Sequence, residues 1–389
     1  MDVQIYEPAE DSFLLEKAVK QHARGSVLDM GTGSGIQAVA AAEKPEVRGV
    51  IAVDIQPEAI EHCKTAIQNK KITFLQSDLF SSIKKGTLFD TIIFNPPYLP
   101  ADEKDPHPAL DGGRKGYETL QRFFENVPEF LAADGMILIV FSSITKKDIV
   151  DESIRNKMLD FELLEKRHVS FEELYVYKIE KSLVLRELGK EGISDIAYHA
   201  KGKRGKVFVG MLKGRKVAIK VKNPSSEAVG KVEHEAIMLR KLEKCRIAPK
   251  VLVFAKDYLV MGFIEGGFIG DFLEKASQKE AKAVLKKALE QMWALDSLHL
   301  TKEEMHHPNK HIIVTKQKKP VLIDFERAHY DEHPSNVTQF CQFLTSSALQ
   351  PILKQKGISI DKQETMALAK EYKRGGSRKV FERILALLR

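Results

Sequence analysis

The sequence holds only three cysteines, one tryptophan and no long apolar run. Cys63, Cys245 and Cys341 stand far apart, so neither a disulfide framework nor a zinc site is expected and a reducing, cytoplasmic setting follows. No stretch of 18 apolar residues occurs, which predicts no helical membrane span. Met1 to Glu10 carries two Glu, one Asp and no basic residue, unlike a signal peptide. Internal repeats and low-complexity tracts are also missing.

What is present is enough for two folded domains. The chain has 389 residues, of which 43% are hydrophobic and 30% charged. The net charge of +7 hides an asymmetry. Residues 1–180 carry 21 basic and 30 acidic side chains, a net −9, whereas residues 181–389 carry 40 and 24, a net +16. A basic second half fits an RNA, ribosome or acidic-protein partner, and equally a solvated lysine-rich surface.

The first half alternates strands and helices. Strands are expected at 26–30, 50–54, 72–76, 91–94, 136–141 and 174–179, the last closing the domain, with helices at 35–43 and 57–69, the second opened by Pro57. This rhythm predicts a doubly wound α/β parallel sheet over residues 1–181. From about 185 to 389 the order changes. Strands at 196–201, 206–211 and 215–221 precede a helix at 229–244. Strands at 251–254 and 258–262, a helix at 279–298 and a hairpin over 312–315 and 320–325 follow, and helices end the chain. A sheet lobe before a helical lobe is an α+β, bilobal, protein-kinase-like order.

Asp29-Met30-Gly31-Thr32-Gly33-Ser34-Gly35 joins the first strand to the first helix. Glycines there let a ligand approach the backbone, although dinucleotide enzymes use a similar run. The spacing lacks the third glycine of the dinucleotide fingerprint. Asp29 ends the first strand, and Asp54, followed by Ile55, ends the second, where its carboxylate can accept from two ribose hydroxyls. Ser77-Asp78-Leu79 ends the third, where an adenine would lie. The set resembles S-adenosylmethionine-dependent methyltransferases of class I.

Asn95-Pro96-Pro97-Tyr98 follows the fourth strand. Two prolines stiffen the loop and remove two backbone donors. The Asn95 side-chain oxygen and the Pro96 carbonyl remain as acceptors for a planar amino group, and Tyr98 offers a face for stacking. Aligned acceptors favour the polarised nitrogen of a methyl-transfer transition state and aim it at the donor. Glutamine amides, adenine and guanine all present such a group.

The flanking residues narrow the resemblance. Tyr6 to Leu15 (Tyr-Glu-Pro-Ala-Glu-Asp-Ser-Phe-Leu-Leu), Asp111 to Glu118 and Phe171 to Val176 accompany the Asn-Pro-Pro-Tyr motif. Together they resemble the archaeal and eukaryotic branch of the HemK-like methyltransferases across residues 1–180. The resemblance implies protein-(glutamine-N5) methylation on the Gly-Gly-Gln loop of a class-I translation release factor, often with a small zinc-binding activator subunit. Relatives also methylate lysine. It further implies that Glu10, Asp11 and Ser12 lie beside the methyl donor; on their own they read equally well as a helix cap and first turn.

The second half carries a kinase constellation. Gly202 and Gly205 sit in a turn between strands, Val217-Ala218-Ile219-Lys220 matches the nucleotide-gripping strand, and Glu235 falls on the next helix. Met261 to Gly266, including Glu265, resembles a hinge. Ile323-Asp324-Phe325-Glu326 resembles the metal-binding loop, with Asp324 as a magnesium ligand. The catalytic loop departs from His-x-Asp followed by Asn five residues after the Asp. With His311 in the place of the asparagine, as a second magnesium ligand, His306 falls at the base position; with Glu304 as base, Asn309 falls at the expected spacing. His306, His307 and His311 lack a well-placed acid or cysteine, so zinc is not expected. Pro308 to Ile313, Asp324 to Glu326 and Asn336-Val337-Thr338 resemble a small archaeal group of RIO-like Ser/Thr kinases over about 190–345. ATP and magnesium are implied, with either an active kinase or a nucleotide- and RNA-binding pseudokinase as outcome.

The sequence thus points to an archaeal cytoplasmic methyltransferase acting on a release-factor glutamine. The alternative is a nucleic-acid amino-methyltransferase whose basic half grips RNA or DNA. A scaffold in translation termination, with both pockets as sensors, is the third reading.

Overall fold

The computed structural model describes residues 6–101, 110–201, 205–222 and 231–388. It divides into two compact units, residues 1–192 and 193–389.

The first unit runs α1 (Glu10–His22), β1 (Gly25–Met30), α2 (Ile36–Ala42), β2 (Val47–Asp54), α3 (Pro57–Ala66), β3 (Ile72–Gln76), β4 (Phe89–Phe94), α4 (Glu118–Asn126), β5 (Leu131–Ser142), α5 (Lys147–Arg155), β6 (Leu159–Val169), β7 (Glu172–Lys181) and α6 (Leu183–Lys190). Seven strands form one sheet in the order β3-β2-β1-β4-β5-β7-β6. The five strands β1 to β5 are parallel, whereas β7 runs antiparallel to both β5 and β6. Successive residues face opposite sides of the sheet. Leu28 and Ile92 pack with Phe123, Phe141 and Tyr177 on one face, and Val27 and Ile93 pack with α1 and α2 through Leu15, Val19 and Ala41 on the other. The order reverses between β1 and β4, and the carboxyl ends of strands at such a switch point are where doubly wound folds hold ligands.

Several elements differ from expectation. β6 was not foreseen: its charged, alternating sequence carries half-exposed side chains, so it shows no apolar run. β7 is the last strand of the unit along the chain, as expected, and in the sheet it lies between β5 and β6. α3 ends at Ala66 rather than at residue 69. Gly35 caps α2 with φ +83°, a left-handed conformation that favours glycine, and a Cβ there would crowd the tip of the Ile67 side chain.

The second unit begins with β8 (Ile193–Lys201), β9 (Gly205–Leu212), β10 (Arg215–Lys222), α7 (Lys231–Lys241), β11 (Val251–Phe254) and β12 (Tyr258–Gly262). Its strands form an antiparallel sheet, β11-β12-β10-β9-β8. Then come β13 (Gly266–Phe268), α8 (Ile269–Lys275), α9 (Gln278–Ser297), β14 (Leu300–Thr301), β15 (Ile312–Thr315), β16 (Pro320–Leu322), β17 (His329–Tyr330), α10 (Asn336–Leu344), α11 (Gln350–Gln355), α12 (Lys362–Gly375) and α13 (Arg378–Ala386). Ser277 and Glu280 form a reciprocal capping box that starts α9. Leu285, Leu289 and Met292 of that helix pack with Phe325, Phe340 and Phe381 in one core. The expected hairpin strand over 320–325 stops at Leu322, and Asp324 beyond it has φ +63°. A sheet followed by a helical part is the bilobal, kinase-like architecture.

Candidate functional site

The glycine loop after β1 and the Asn-Pro-Pro-Tyr turn after β4 open onto one cavity of about 310 Å³. Gly31, Gly33, Asp54, Ile55, Asp78, Leu79, Asn95, Pro96, Pro97 and Tyr98 line it, as do Asp11 and Ser12 from the first turn of α1. That turn is not side-chain capped; its N-cap is Ala9.

Three expected contacts do not line the cavity: Glu10, Asp29 and Gly35. Asp29 is buried inside the loop it precedes. Its carboxylate accepts from Thr32 Oγ1 at 2.6 Å, and burial pushes its pKa up to about 7. Asp29 therefore shapes the loop. Asp54 accepts from the Gly33 amide at 2.9 Å and the Gln56 amide at 3.0 Å, one on each oxygen. A carboxylate has further lone pairs, which fit two hydroxyl donors. Asp78 forms an ion pair with Arg122 of α4 at 2.6 Å.

The turn itself is set from two sides. Asn95 Nδ2 donates to Asp11 Oδ2 at 3.2 Å and to Ser12 Oγ at 3.3 Å. These two acceptors fix the amide orientation, so Asn95 Oδ1 is enclosed with no hydrogen-bond partner among the described residues. An enclosed orphan acceptor marks a position that a ligand donor satisfies. Asp11 is held in turn by the Tyr6 hydroxyl, 2.8 Å from both its oxygens. From the other side, the chain at 112–116 folds back on the turn. A Cβ on Gly112 would meet the Pro97 carbonyl at 2.6 Å, and one on Gly116 the Tyr98 carbonyl at 2.6 Å. Burial, with Asp11, Glu172 and Glu10 nearby, raises the Tyr98 pKa, so its hydroxyl stays protonated.

Gln37, Thr119 and Arg122, outside every motif of the sequence, also line the cavity, as do Tyr6 and Thr32, which stand within motifs without an assigned role. Gln37 is the most informative. It is 4% exposed, its Nε2 donates to the Ser12 carbonyl at 2.8 Å, and its Oε1 has no partner among the described residues.

The second unit brings together Lys220 and Glu235 at 2.6 Å, and Lys220 and Asp324 at 3.1 Å. Gly202 lies outside the described residues. Gly205 opens β9, where a Cβ would meet the Val221 carbonyl at 2.4 Å. Glu265 is exposed just ahead of β13. In the loop before β15, the structure pairs members of the two sequence alternatives. Glu304 Oε2 lies 3.0 Å from His311 Nε2, and His311 Nδ1 lies 3.9 Å from Asp324. His306 is exposed and contacts Gln339, while Asn309 packs against Gly270 of α8. Glu304 and His311 are seven residues apart rather than five because a short 3-10 turn, Pro308–Lys310, lengthens the loop. Burial, together with the Lys302 charge, lowers the His311 pKa.

Lys302, Glu326 and Arg327 complete this cluster and were not singled out. Lys302 is 2% exposed, donates to the Asp324 carbonyl, and is lowered by burial to about 8. Lys302-x-Glu304 stands where kinases carry His-x-Asp, a signal that was readable. Among the described residues, no group of three or more His, Cys, Asp or Glu surrounds a common metal position. No helix among them is long and apolar enough to cross a membrane.

Sheet order, glycine loop and cavity define the first unit as a class-I methyltransferase dependent on S-adenosylmethionine. Residues 10–168 match the methyltransferase small domain, and residues 207–342 match the RIO domain. A Methanocaldococcus jannaschii protein, provisionally named a protein N5-glutamine methyltransferase, is 36% identical over 180 residues, covering 44% of this chain and 90% of that protein. The release factor glutamine methyltransferase of Koribacter versatilis is 39% identical over 139 residues, covering 32% of this chain and 49%, about half, of that enzyme. Among solved structures, the Mtq2–Trm112 complex of E. cuniculi, described as responsible for methylation of the eRF1 termination factor, is 26% identical with a TM-score of 0.38, covering 46% of this chain and 98% of that one. The chain belongs to the HemK-like protein N5-glutamine methyltransferase family, with a kinase-like RIO domain following the methyltransferase.

Proposed function

We propose that the first unit methylates the side-chain amide nitrogen of a glutamine in a protein, the Gly-Gly-Gln glutamine of a class-I release factor. The observation that carries this is the fixed Asn95 amide, whose Oδ1 is left unpartnered beside Pro96, Pro97 and Tyr98. S-adenosylmethionine, when bound, supplies the electrophilic methyl. Asp54 fits its ribose hydroxyls, and Asp78 and Leu79 stand at the third strand end beside Asp54 and Ile55. Asn95 Oδ1 and the Pro96 carbonyl accept the two amide hydrogens, and Tyr98 stacks on the amide plane. The nitrogen lone pair, delocalised in the free amide, is thereby localised toward the methyl. As the new N–C bond forms the S–C bond breaks, and one amide proton leaves to solvent.

The name of the Koribacter relative supports a release factor as acceptor, and that of the Methanocaldococcus relative a protein glutamine. An activator subunit and a cytoplasmic location belong to the same reading. For the second unit the reading is ATP binding at Lys220, Glu235 and Asp324. Magnesium fits the Asp324 carboxylate with phosphate oxygens, whereas the His311 imidazole is a ligand it does not favour. The surplus of basic residues in this half supports contact with RNA or the ribosome.

The test is methyl transfer from radiolabelled S-adenosylmethionine into extract of the source organism, split between protease and nuclease, with Asn95→Ala as blank. Label lost to protease alone, with methylglutamine in the band of release-factor mass, is expected. Label lost to nuclease overturns the glutamine assignment.

A further inference from the structure

We propose that Glu118 is a positioning residue for methyl transfer: its carboxylate holds residues 112–117 in the shape on which the Asn-Pro-Pro-Tyr turn rests. The proposal rests on the reading of that turn as the acceptor site.

The turn has two supports. Asn95 is fixed by side chains of α1, whereas Pro97 and Tyr98 are met at their backbone by the returning chain. Three backbone hydrogen bonds zip the chain leaving the turn to this returning segment. Leu99 donates to the Leu110 carbonyl at 2.9 Å, Gly112 to the Leu99 carbonyl at 2.8 Å and Ala101 to the Gly113 carbonyl at 2.9 Å. Without a Cβ at 112 and 116, the segment lies directly against the Pro97 and Tyr98 carbonyls. A shift of the segment therefore shifts the acceptor turn.

Residues 112–116 hold three glycines, and so permissive a run does not keep one shape unaided. Glu118 supplies the restraint. It is the first residue of α4, and its side chain reaches back over the loop. The Lys115 amide lies 3.1 Å from both carboxylate oxygens, and the Tyr117 amide donates to Oε2 at 3.2 Å. The carboxylate sits over Gly113, where a Cβ would stand 2.7 Å from Oε2. Amide donors to an ionised carboxylate make the stronger class of hydrogen bond. The carboxylate also stands on a fixed base. α4 buries Leu120, Phe123 and Phe124 in the core, and its Arg122 pairs with Asp78 at 2.6 Å. Helix and donor site thus keep their places without Glu118, and the loop does not.

The role depends on reach rather than charge, which three variants of the full chain separate. Glu118→Gln keeps an acceptor oxygen at the same reach. Glu118→Asp keeps the charge that favours a helix start but is one methylene shorter. Glu118→Ala has neither. Initial rates of transfer from saturating radiolabelled S-adenosylmethionine into extract of the source organism are measured, with S-adenosylhomocysteine affinity by calorimetry. The expected rate is about 10²-fold lower in the Ala and Asp variants, as for an acceptor misplaced by about 1 Å, and within about tenfold of wild type in Glu118→Gln. Affinity for S-adenosylhomocysteine should be unchanged in all three. A wild-type rate in Glu118→Ala, an active Asp variant beside an inactive Gln variant, or affinity falling in step with rate overturns the positioning role. Wild-type label in nucleic acid overturns the protein-glutamine reading alone, and the same three rates then decide the role of Glu118 on that acceptor. No label from wild type overturns both.

Discussion

The Asp11 carboxylate and the Asn95 side-chain amide meet at 3.2 Å across 84 positions of sequence. The first turn of α1 thereby decides which end of Asn95 faces the methyl acceptor. Asp11→Asn keeps the shape and makes the acceptor ambiguous. The expected outcome is a kcat reduced by roughly 10²–10³, the range seen when an aligned polar contact to a transition state is lost. KM for S-adenosylmethionine should change less. A loss confined to KM would show that Asp11 serves the donor rather than Asn95.

Tyr98 is assigned stacking. Tyr98→Phe should retain most activity and Tyr98→Ala should lose it, with melting temperatures of both within a few degrees of wild type. Equal losses in the two variants would assign the role to the hydroxyl.

The unpartnered Gln37 oxygen lies in the wall of the donor cavity, held there by the Ser12 carbonyl. It suits the ammonium of the methionine part of the donor. Gln37→Leu should weaken S-adenosylhomocysteine about tenfold, as expected for one hydrogen bond to a charged group, and leave methylthioadenosine, which lacks that ammonium, unchanged. Equal weakening of both ligands would mean that Gln37 only supports α1.

Asp29 provides a pH test. Burial raises its folded pKa to about 7, so the folded unit keeps a proton that the unfolded chain releases at lower pH. Its contribution to stability is present at low pH and is lost as pH rises through about 7. Urea melts should show Asp29→Asn gaining on wild type from about pH 4 to about pH 7, then holding level. Parallel curves would mean that Asp29 titrates alike in both states.

Much of this was legible in the sequence. β1, β2, β4 and β5 announce themselves as apolar runs because both faces of the parallel sheet are covered there. Asn95 to Tyr98 and Asp54 are readable because strand ends at a switch point leave few roles for such residues. β6 was hidden because its exposed face is charged. The direction of Asp29 was hidden because a strand end points to either side. Tyr6, Gln37 and Arg122 reach the cavity from three separate helical or loop segments, and their spacing carries no period. In the second unit, a loop two residues longer than expected defeated register counting, and only geometry pairs Glu304 with His311.

The place of β7 has a consequence for synthesis. A nascent chain ending at Val169 has made six strands of the first sheet, yet β5 and β6 both lack the neighbour they pair with. Residues 172–181 must leave the ribosome before either edge closes. Until then two unpaired edges stand open to other chains, a hazard for aggregation. With most of the kinase-like half still to be translated at that moment, the methyltransferase sheet can close while its own chain is tethered to the ribosome.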